Sequence, residues 1–136
     1  MTEADYPYVG VSSGDCIYDP SKAQVKVARY INVVPNEPMQ LKIAVSMGPV
    51  AAAVASTDPI YQFYKQGVIT SENCGTMVDC AVTIVGYGQS QQGQEYWLIK
   101  GTWGESWGEN GYGKIAVGDG QGICGINTQA SIPFTV

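Results

Sequence analysis

The residue of this sequence with the most chemical potential is a cysteine in an apolar run. Cys80 lies between Asp79 and Ala81, and a thiolate at such a position can serve as a nucleophile. That role requires a nearby cation or base to hold the thiolate, and the sequence contains no histidine. The residues alone therefore favour the other interpretation, in which Cys80 is a small buried apolar side chain.

Two other residue patterns resemble catalytic motifs but lack the surroundings that catalysis requires. Glu105 and Glu109 flank Trp107, but both lie in loop sequence, where acidic side chains are usually solvated. The segment 104–108 matches the G-x-S-x-G pattern of serine hydrolases, which requires a following helix and a histidine partner. Neither requirement is met, so neither pattern predicts an active site.

Composition excludes several classes of function. A net charge of −5 without a cluster of Lys or Arg argues against nucleic acid and against an anionic membrane surface as partners. No apolar run approaches the ~20 residues that span a bilayer. The four cysteines fit no zinc pattern and allow three fully paired connectivities, so we expect no metal and no cofactor. With 45% hydrophobic residues, the chain should fold around a core.

The elements that must position Cys80 are short strands. Two apolar runs between Met77 and Trp107, joined by a Gln-rich turn, predict paired antiparallel strands. Glycines beside Trp103 and Trp107 indicate a backbone that passes close beneath large rings. The other predictions are an irregular segment at 1–21, strands at 24–34, 50–55, 67–70 and 111–117, helical turns at 58–64, a glycine loop at 118–122 and an extended segment at 124–136.

One substantial helix is predicted over residues 37–47. Met39, Ile43 and Met47 follow one another at a spacing of four residues, with Asn36 as a candidate N-cap and Gly48 at the end. The strand of small residues at 50–55 suggests that something bulky approaches it closely. Several short strands with one main helix predict an α+β fold, an antiparallel barrel or twisted sheet with a helix against it.

Six motifs give the chain a resemblance to a known family. They are TEADYPYVG, MGPVAAAV, IYQFYKQGVI, CGTMVDCAVTIVGYG, EYWLIKGTWGESWGENGYGKI and CGINTQASIP, in this order along the sequence. Together they resemble the C-terminal portion of papain-family (cathepsin-like) cysteine proteases. The resemblance covers essentially all 136 residues. It implies that 1–136 is the β-rich right-hand domain, and that the left-hand domain with its C-G-[SA]-C-[WY] nucleophile lies outside this chain.

The resemblance also implies that the catalytic pair is replaced. Cys80 occupies the position of the family's histidine, and Gly101 occupies that of its asparagine, while Asp79, Trp103 and Trp107 remain as cleft residues. A thiol does not exchange protons as an imidazole does, and glycine has no side chain to orient a base. We therefore predict no functional catalytic residue and no enzyme: an inactive homologue that serves as a structural or protein-interaction module.

Partners and compartment follow from the cysteines under this resemblance. Cys74 and Cys124 should form the disulfide of the right-hand domain, while Cys16 matches a cysteine whose partner lies in the left-hand domain. We expect a separate left-hand chain, possibly bonded through Cys16, and a secretory, extracellular or lysosome-like location although residues 1–10 do not resemble a signal peptide. Assembly into a larger structure is compatible with this interpretation. The alternatives are the C-terminal chain of an active two-chain cysteine endopeptidase and a peptide-binding module that uses the remnant cleft.

Overall fold

The computed structural model describes residues 1–12 and 14–136, which divide into two compact units. One unit comprises Met1–Arg29 with Phe134–Val136, and the other comprises Tyr30–Pro133. Ser13, which falls in the predicted irregular segment, lies outside the described residues. Apart from Cys16, every candidate functional residue belongs to the larger unit.

Strands dominate the described residues. Short 3₁₀ turns occur at Pro20–Lys22 and Ile123–Gly125. The helices and strands are, in chain order, β1 (Val27–Asn32), α1 (Pro38–Met47), β2 (Val50–Val54), α2 (Pro59–Gln62), β3 (Val68–Ile69), β4 (Cys80–Gln89), β5 (Glu95–Lys100), β6 (Tyr112–Ala116) and β7 (Ala130–Thr135).

The strands form one seven-stranded sheet in the order β1-β7-β2-β4-β5-β6-β3. The sheet is open, with β1 and β3 at its edges. The pairs β2–β4, β4–β5 and β5–β6 are antiparallel, whereas β3 runs parallel to β6. The predicted α+β class is confirmed, and the parallel β3–β6 pair is a feature that the sequence pattern does not predict.

The core lies against the central strands. Ile84 of β4 and Ile99 of β5 face each other across the sheet, and both are fully buried. Trp97 and Ile115 are likewise fully buried on β5 and β6, where they also form a cross-strand pair. Branched and aromatic side chains pack well on a pleated surface, so these pairs stabilise the central strands.

Helix α1 confirms the predicted helix, but its buried side is not the one that the spacing marks. Leu41, Ala44 and Val45 are buried, whereas Met39, Ile43 and Met47 are exposed. Asn36 does not cap the helix, because Glu37 holds the N-cap position without a side-chain hydrogen bond. Within the described residues, no helix is long and apolar enough to cross a membrane.

The short helix α2 is fixed at its start by Asp58. The Asp58 carboxylate accepts a hydrogen bond from the Ile60 backbone amide at 2.9 Å, a standard N-cap contact. It also accepts one from the Gly75 amide at 2.9 Å, which ties α2 to the loop before β4. In the same region a disulfide joins Cys74 to Cys124, and both cysteines are buried. The loop that leads into β4 is thus held from two sides.

Candidate active site

The site is built around the first residue of β4. Cys80 pairs across the sheet with Val54 of β2, and it lies on the same face of β4 as the buried Val82. Its side chain is half-buried, and its Sγ is 3.6 Å from the carbonyl oxygen of Ala81. The thiol is therefore not bonded to another cysteine. It is also not enclosed in the core, whereas the residue pattern alone favoured a buried side chain.

Gly101 lies at the same end of the β4–β5 pair. The antiparallel register matches Thr83 with Lys100, so the residue after Lys100 lies toward the start of β4. The Gly101 amide donates a hydrogen bond to the Gly111 carbonyl at 2.9 Å. A Cβ added at this position would lie 3.1 Å from Cε3 of Trp107. A larger residue thus fits here only if the indole moves by a few tenths of an ångström.

Asp79 anchors the start of β4 to the end of β2. Its carboxylate accepts hydrogen bonds from the Ser56 amide at 2.7 Å, the Thr57 amide at 3.2 Å and the Thr57 hydroxyl at 2.6 Å. These bonds, that of the Thr57 hydroxyl foremost, lower the pKa of Asp79 to about 2. The carboxylate is therefore ionised at neutral pH and holds the backbone beside Cys80 in place.

Three aromatic rings form the wall next to Cys80 and Gly101. The ring of Trp107 stacks on that of Tyr61 with centroids 4.9 Å apart, and its Nε1 donates to the Tyr61 carbonyl at 3.1 Å. Trp103 meets both rings edge-on, at 5.6 Å from Tyr61 and 6.0 Å from Trp107. Trp103 is 41% exposed, so part of its indole is available to a ligand.

The expected close approach of backbone to rings is found at Gly108, where an added Cβ would lie 3.0 Å from the Tyr64 ring, but not at Gly104, which has open space around it. A further close approach, which the sequence did not predict, occurs at Gly113. A Cβ added there would lie 2.7 Å from Cη2 of Trp107, a distance that real Cβ atoms essentially never show. Only glycine lets β6 pass this close to the indole. Residue patterns missed Tyr61 as a member of the wall. The available signal was its position three residues before Tyr64, which also packs on Trp107 at 5.4 Å.

A groove opens along β2, β4 and β7 on the face of the sheet opposite to the Cys80 side chain, and Cys80 does not line it. It has a volume of about 600 Å³, and its walls are mostly small side chains and backbone. Ala53 of β2 faces Ala81 of β4 across the sheet, and Ala81 directly follows Cys80. The small residues of β2 thus leave room for a bulky group, as their pattern suggests. The lining residues are Asn32, Val33, Pro35, Ala51, Ala52, Ala53, Ala81, Thr128, Gln129, Ala130 and Ser131.

Glu105 and Glu109, for which the sequence predicts no catalytic role, are not part of this site. Glu109 accepts hydrogen bonds from the Tyr64 hydroxyl at 3.1 Å and the Gly67 amide at 2.9 Å, and it pairs with Lys114 at 2.7 Å. The ion pair with Lys114 is the main cause that lowers the pKa of Glu109. Glu109 is therefore a structural tie between the β3 and β6 segments, and Glu105 is exposed on its loop.

Cys16 belongs to the smaller unit, where it is exposed and unbonded. Within residues 1–12 and 14–136, no group of three or more Cys, Asp or Glu side chains is arranged to hold a metal ion. The chemistry available at the site described above is therefore that of the Cys80 thiol and the surrounding hydrogen-bonding groups.

Comparison with known proteins identifies the family to which the chain is similar. The family model described as papain family cysteine protease matches residues 1–134. Cathepsin J of Rattus norvegicus is 44% identical over 136 residues, which cover 96% of this chain and 40% of that protein. Cysteine endopeptidase RepA of Oryza sativa is 42% identical, with coverage of 97% and 35%. The chain thus spans about two fifths of the length of these relatives.

Solved structures share the fold. The bromelain protease of Ananas comosus, determined in complex with the E64 inhibitor, superposes with a TM-score of 0.88 at 36% identity. The match covers 97% of this chain and 61% of that one. The Amb a 11 cysteine protease of ragweed pollen, determined in its proform, gives a TM-score of 0.86 at 34% identity over 97% of this chain and 40% of that one.

These relatives overturn one expectation. The prediction that the chain is no enzyme is wrong, because proteins 42% and 36% identical to it are named as an endopeptidase and a protease. That expectation rested on Cys80 and Gly101 at the positions where the family has histidine and asparagine. Loss of catalytic side chains lowers the rate, but such a loss does not by itself exclude activity.

Proposed function

Because the chain belongs to the papain family of cysteine proteases, we propose that it is the C-terminal part of a cysteine endopeptidase and forms one wall of its peptide cleft. The observation that carries this proposal is that the half-buried Cys80 and Gly101 lie at the same end of the β4–β5 pair, where Gly101 adjoins Trp107 and Trp103 is 41% exposed. A bound peptide can lay an apolar side chain against Trp103 and bring its backbone past Cys80.

The nucleophile comes from the N-terminal part of the fold, either as a preceding segment or as a separate chain. Cys80 faces it from this side and takes part in the proton transfer. A thiol is a poorer proton carrier near neutral pH than imidazole, whose pKa of about 6.5 suits both directions of transfer. Gly101 adds no orienting group. The proposed enzyme therefore binds peptides well and turns them over slowly.

The partner and the compartment belong to the same proposal. Cys16 bonds the N-terminal part in this proposal, which its exposed and unbonded state within the described residues supports. The buried Cys74–Cys124 disulfide supports an oxidising compartment, such as the secretory pathway, the extracellular space or a lysosome-like organelle. Relatives solved in a proform fit a protein in which further segments accompany this one.

Removing the exposed ring of the aromatic wall tests peptide binding at this site. Trp103→Ala should raise the KM for a peptide substrate by about tenfold, because burial of one apolar side chain is worth about 1.5–3 kcal/mol. The kcat should change less than the KM, since Cys80 and Asp79 are untouched. Both constants are measured on the complete protease, this chain together with its N-terminal part.

Tyr87→Ala serves as the matched control for the wall. Tyr87 lies on β4 and is 46% exposed, but its ring packs on Trp97 and is not part of the wall. Its replacement should leave the KM within about twofold, because the altered side chain does not adjoin the site. Equal KM values for Trp103→Ala and the unchanged protein would show that peptides bind elsewhere.

A further inference from the structure

A polar pocket lies between β3, the turn that joins β4 to β5, and β6. It has a volume of about 740 Å³, and its lining includes Gly67 before β3, Ser90 and Gln92 of the turn, and Lys114 of β6. That volume falls within the range of roughly 300–1,000 Å³ that is typical of small-molecule sites. Cys80 is the first of the ten residues of β4 and the turn follows the last, so the pocket lies roughly 30 Å from the proposed peptide cleft.

The charges at the pocket cancel. Among the lining residues that the structure describes, Lys114 is the one with a charged side chain. Its Nζ pairs with the Glu109 carboxylate at 2.7 Å and lies 5.8 Å from the centre of the Tyr96 ring. The ion pair leaves no net charge to attract an anion or a cation, so the ligand that fits this pocket is neutral.

The turn supplies neutral amide groups in a fixed arrangement. The Ser90 amide donates to the Gln94 carbonyl at 2.9 Å, and the Ser90 hydroxyl accepts from the Gln94 amide at 3.1 Å. The Gln89 side chain donates to the Gly93 carbonyl at 2.8 Å. Gln91 and Gln92 lie between these ties, where both are exposed and line the pocket. Each side-chain amide offers two donors and an acceptor, which is the complement of a ligand rich in hydroxyls.

Tyr96 adds an apolar surface with a polar tip to these amides. Its side chain is half-buried and lines the pocket. Across the sheet it pairs with Gly88 of β4, where an added Cβ would lie 2.8 Å from the Tyr96 hydroxyl oxygen. The missing side chain at Gly88 thus gives the ring its place over the sheet. An aromatic ring beside amide groups suits a sugar, which has apolar C–H groups between its hydroxyls.

A peptide strand fits this pocket less well than a sugar. β3 is an edge strand of the sheet, and a peptide can add to such an edge by backbone pairing. However, β3 has only two residues, and both backbone groups of the preceding Gly67 are engaged. The Gly67 amide donates to the Glu109 carboxylate at 2.9 Å, and its carbonyl accepts from the Tyr64 hydroxyl at 2.6 Å. The edge therefore offers little free backbone at the pocket.

We propose that this pocket binds a neutral oligosaccharide through the amides of Gln91 and Gln92 and the ring of Tyr96. The amides exchange hydrogen bonds with the sugar hydroxyls, and the ring packs against the C–H groups. Lys114 stays paired with Glu109. A free oligosaccharide and the glycan of a glycoprotein offer the same groups, so the experiment includes both. The proposal goes beyond the proposed function, because the pocket is separate from the cleft.

Isothermal titration calorimetry of the complete protease tests the proposal. The probes are tetrasaccharides of glucose, mannose and galactose, a sulfated tetrasaccharide, and a high-mannose glycan both free and attached to a protein. At least one neutral probe should bind with a Kd of about 1 mM or below. Its affinity should be equal at about 50 mM and about 500 mM salt, because no net charge takes part. Binding of the glycoprotein should disappear when its glycan is removed.

Substitutions place the binding at this pocket. Gln91→Ala/Gln92→Ala should weaken binding about tenfold, since each lost hydrogen bond costs about threefold or more. Tyr96→Ala should weaken it at least as much, because the apolar surface is lost. Gln40→Ala alters an exposed glutamine of α1 that does not line the pocket and should leave the Kd unchanged. None of these variants should change the rate of peptide hydrolysis.

Three results would overturn the proposal. They are the absence of binding by every neutral probe, tighter binding of the sulfated tetrasaccharide than of any neutral one, and a Kd for Gln91→Ala/Gln92→Ala equal to that of the control. Failure of the unchanged protease to hydrolyse peptides would contradict the proposed function and leave the binding result standing.

Discussion

Cys80→His is expected to raise the kcat of the complete protease by about a hundredfold, because a positioned general acid–base group contributes roughly 10²–10⁴ in rate. The side chain at the start of β4 is half-buried and not enclosed in the core, and Asp79 holds the local backbone. The KM should stay nearly constant, since the aromatic wall is unchanged. Steady-state hydrolysis of a fluorogenic peptide gives both constants.

A distant histidine separates this effect from the mere presence of an imidazole. Gln91→His places one on the exposed turn between β4 and β5 and should leave kcat unchanged. Adding Gly101→Asn to Cys80→His should increase kcat further, provided that Trp107 yields to a Cβ 3.1 Å from its ring. A Cys80→His protein with unaltered kcat would show that Cys80 does not face the reacting bond.

Removal of the Cys74–Cys124 disulfide is expected to lower the free energy of unfolding by about 4 kcal/mol. The bond closes a loop with a sequence separation of 50, and loop-closure entropy of that length accounts for this magnitude. Alanine at both positions avoids placing a polar group in a buried site. Urea denaturation of Cys74→Ala/Cys124→Ala and of the unchanged chain under non-reducing conditions measures the difference.

Cys16→Ala is the control for the disulfide experiment. Cys16 is exposed and unbonded in this chain, so its replacement should change the free energy of unfolding by less than about 0.5 kcal/mol. Reduction of the unchanged chain should reproduce most of the loss seen in the double variant. A loss below about 1 kcal/mol would mean that the loop before β4 is held mainly by Asp58 and Asp79.

Local patterns in the sequence were sufficient for most elements of the larger unit. The predicted helix at 37–47 and strand at 50–55 agree closely with α1 and β2, because each ends at a strong local signal. The pairing of β3 with β6 was not predictable, since a two-residue strand carries no periodicity of its own. The exposure of Met39, Ile43 and Met47 was also not predictable. A spacing of four residues shows that side chains share one side of a helix, but it does not show whether that side faces the sheet.

The site was less predictable than the fold. Resemblance placed Cys80 and Gly101, but their common location depends on the β4–β5 register, which no short motif encodes. Tyr61 remained unnoticed because its role arises from stacking on Trp107 across 46 residues of sequence. The mistaken expectation of inactivity came from Cys80 and Gly101 at the positions of the family's histidine and asparagine, whereas similar proteins are named as an endopeptidase and a protease.

Peptide hydrolysis by the complete protease is the most direct test of the central claim, that this chain forms one wall of a working peptide cleft. The chain and its N-terminal part are assayed separately and together. Saturable turnover should appear only when both are combined, and it should disappear when the nucleophile of the N-terminal part is alkylated. A correctly assembled protein that hydrolyses peptides no faster than buffer would contradict the account.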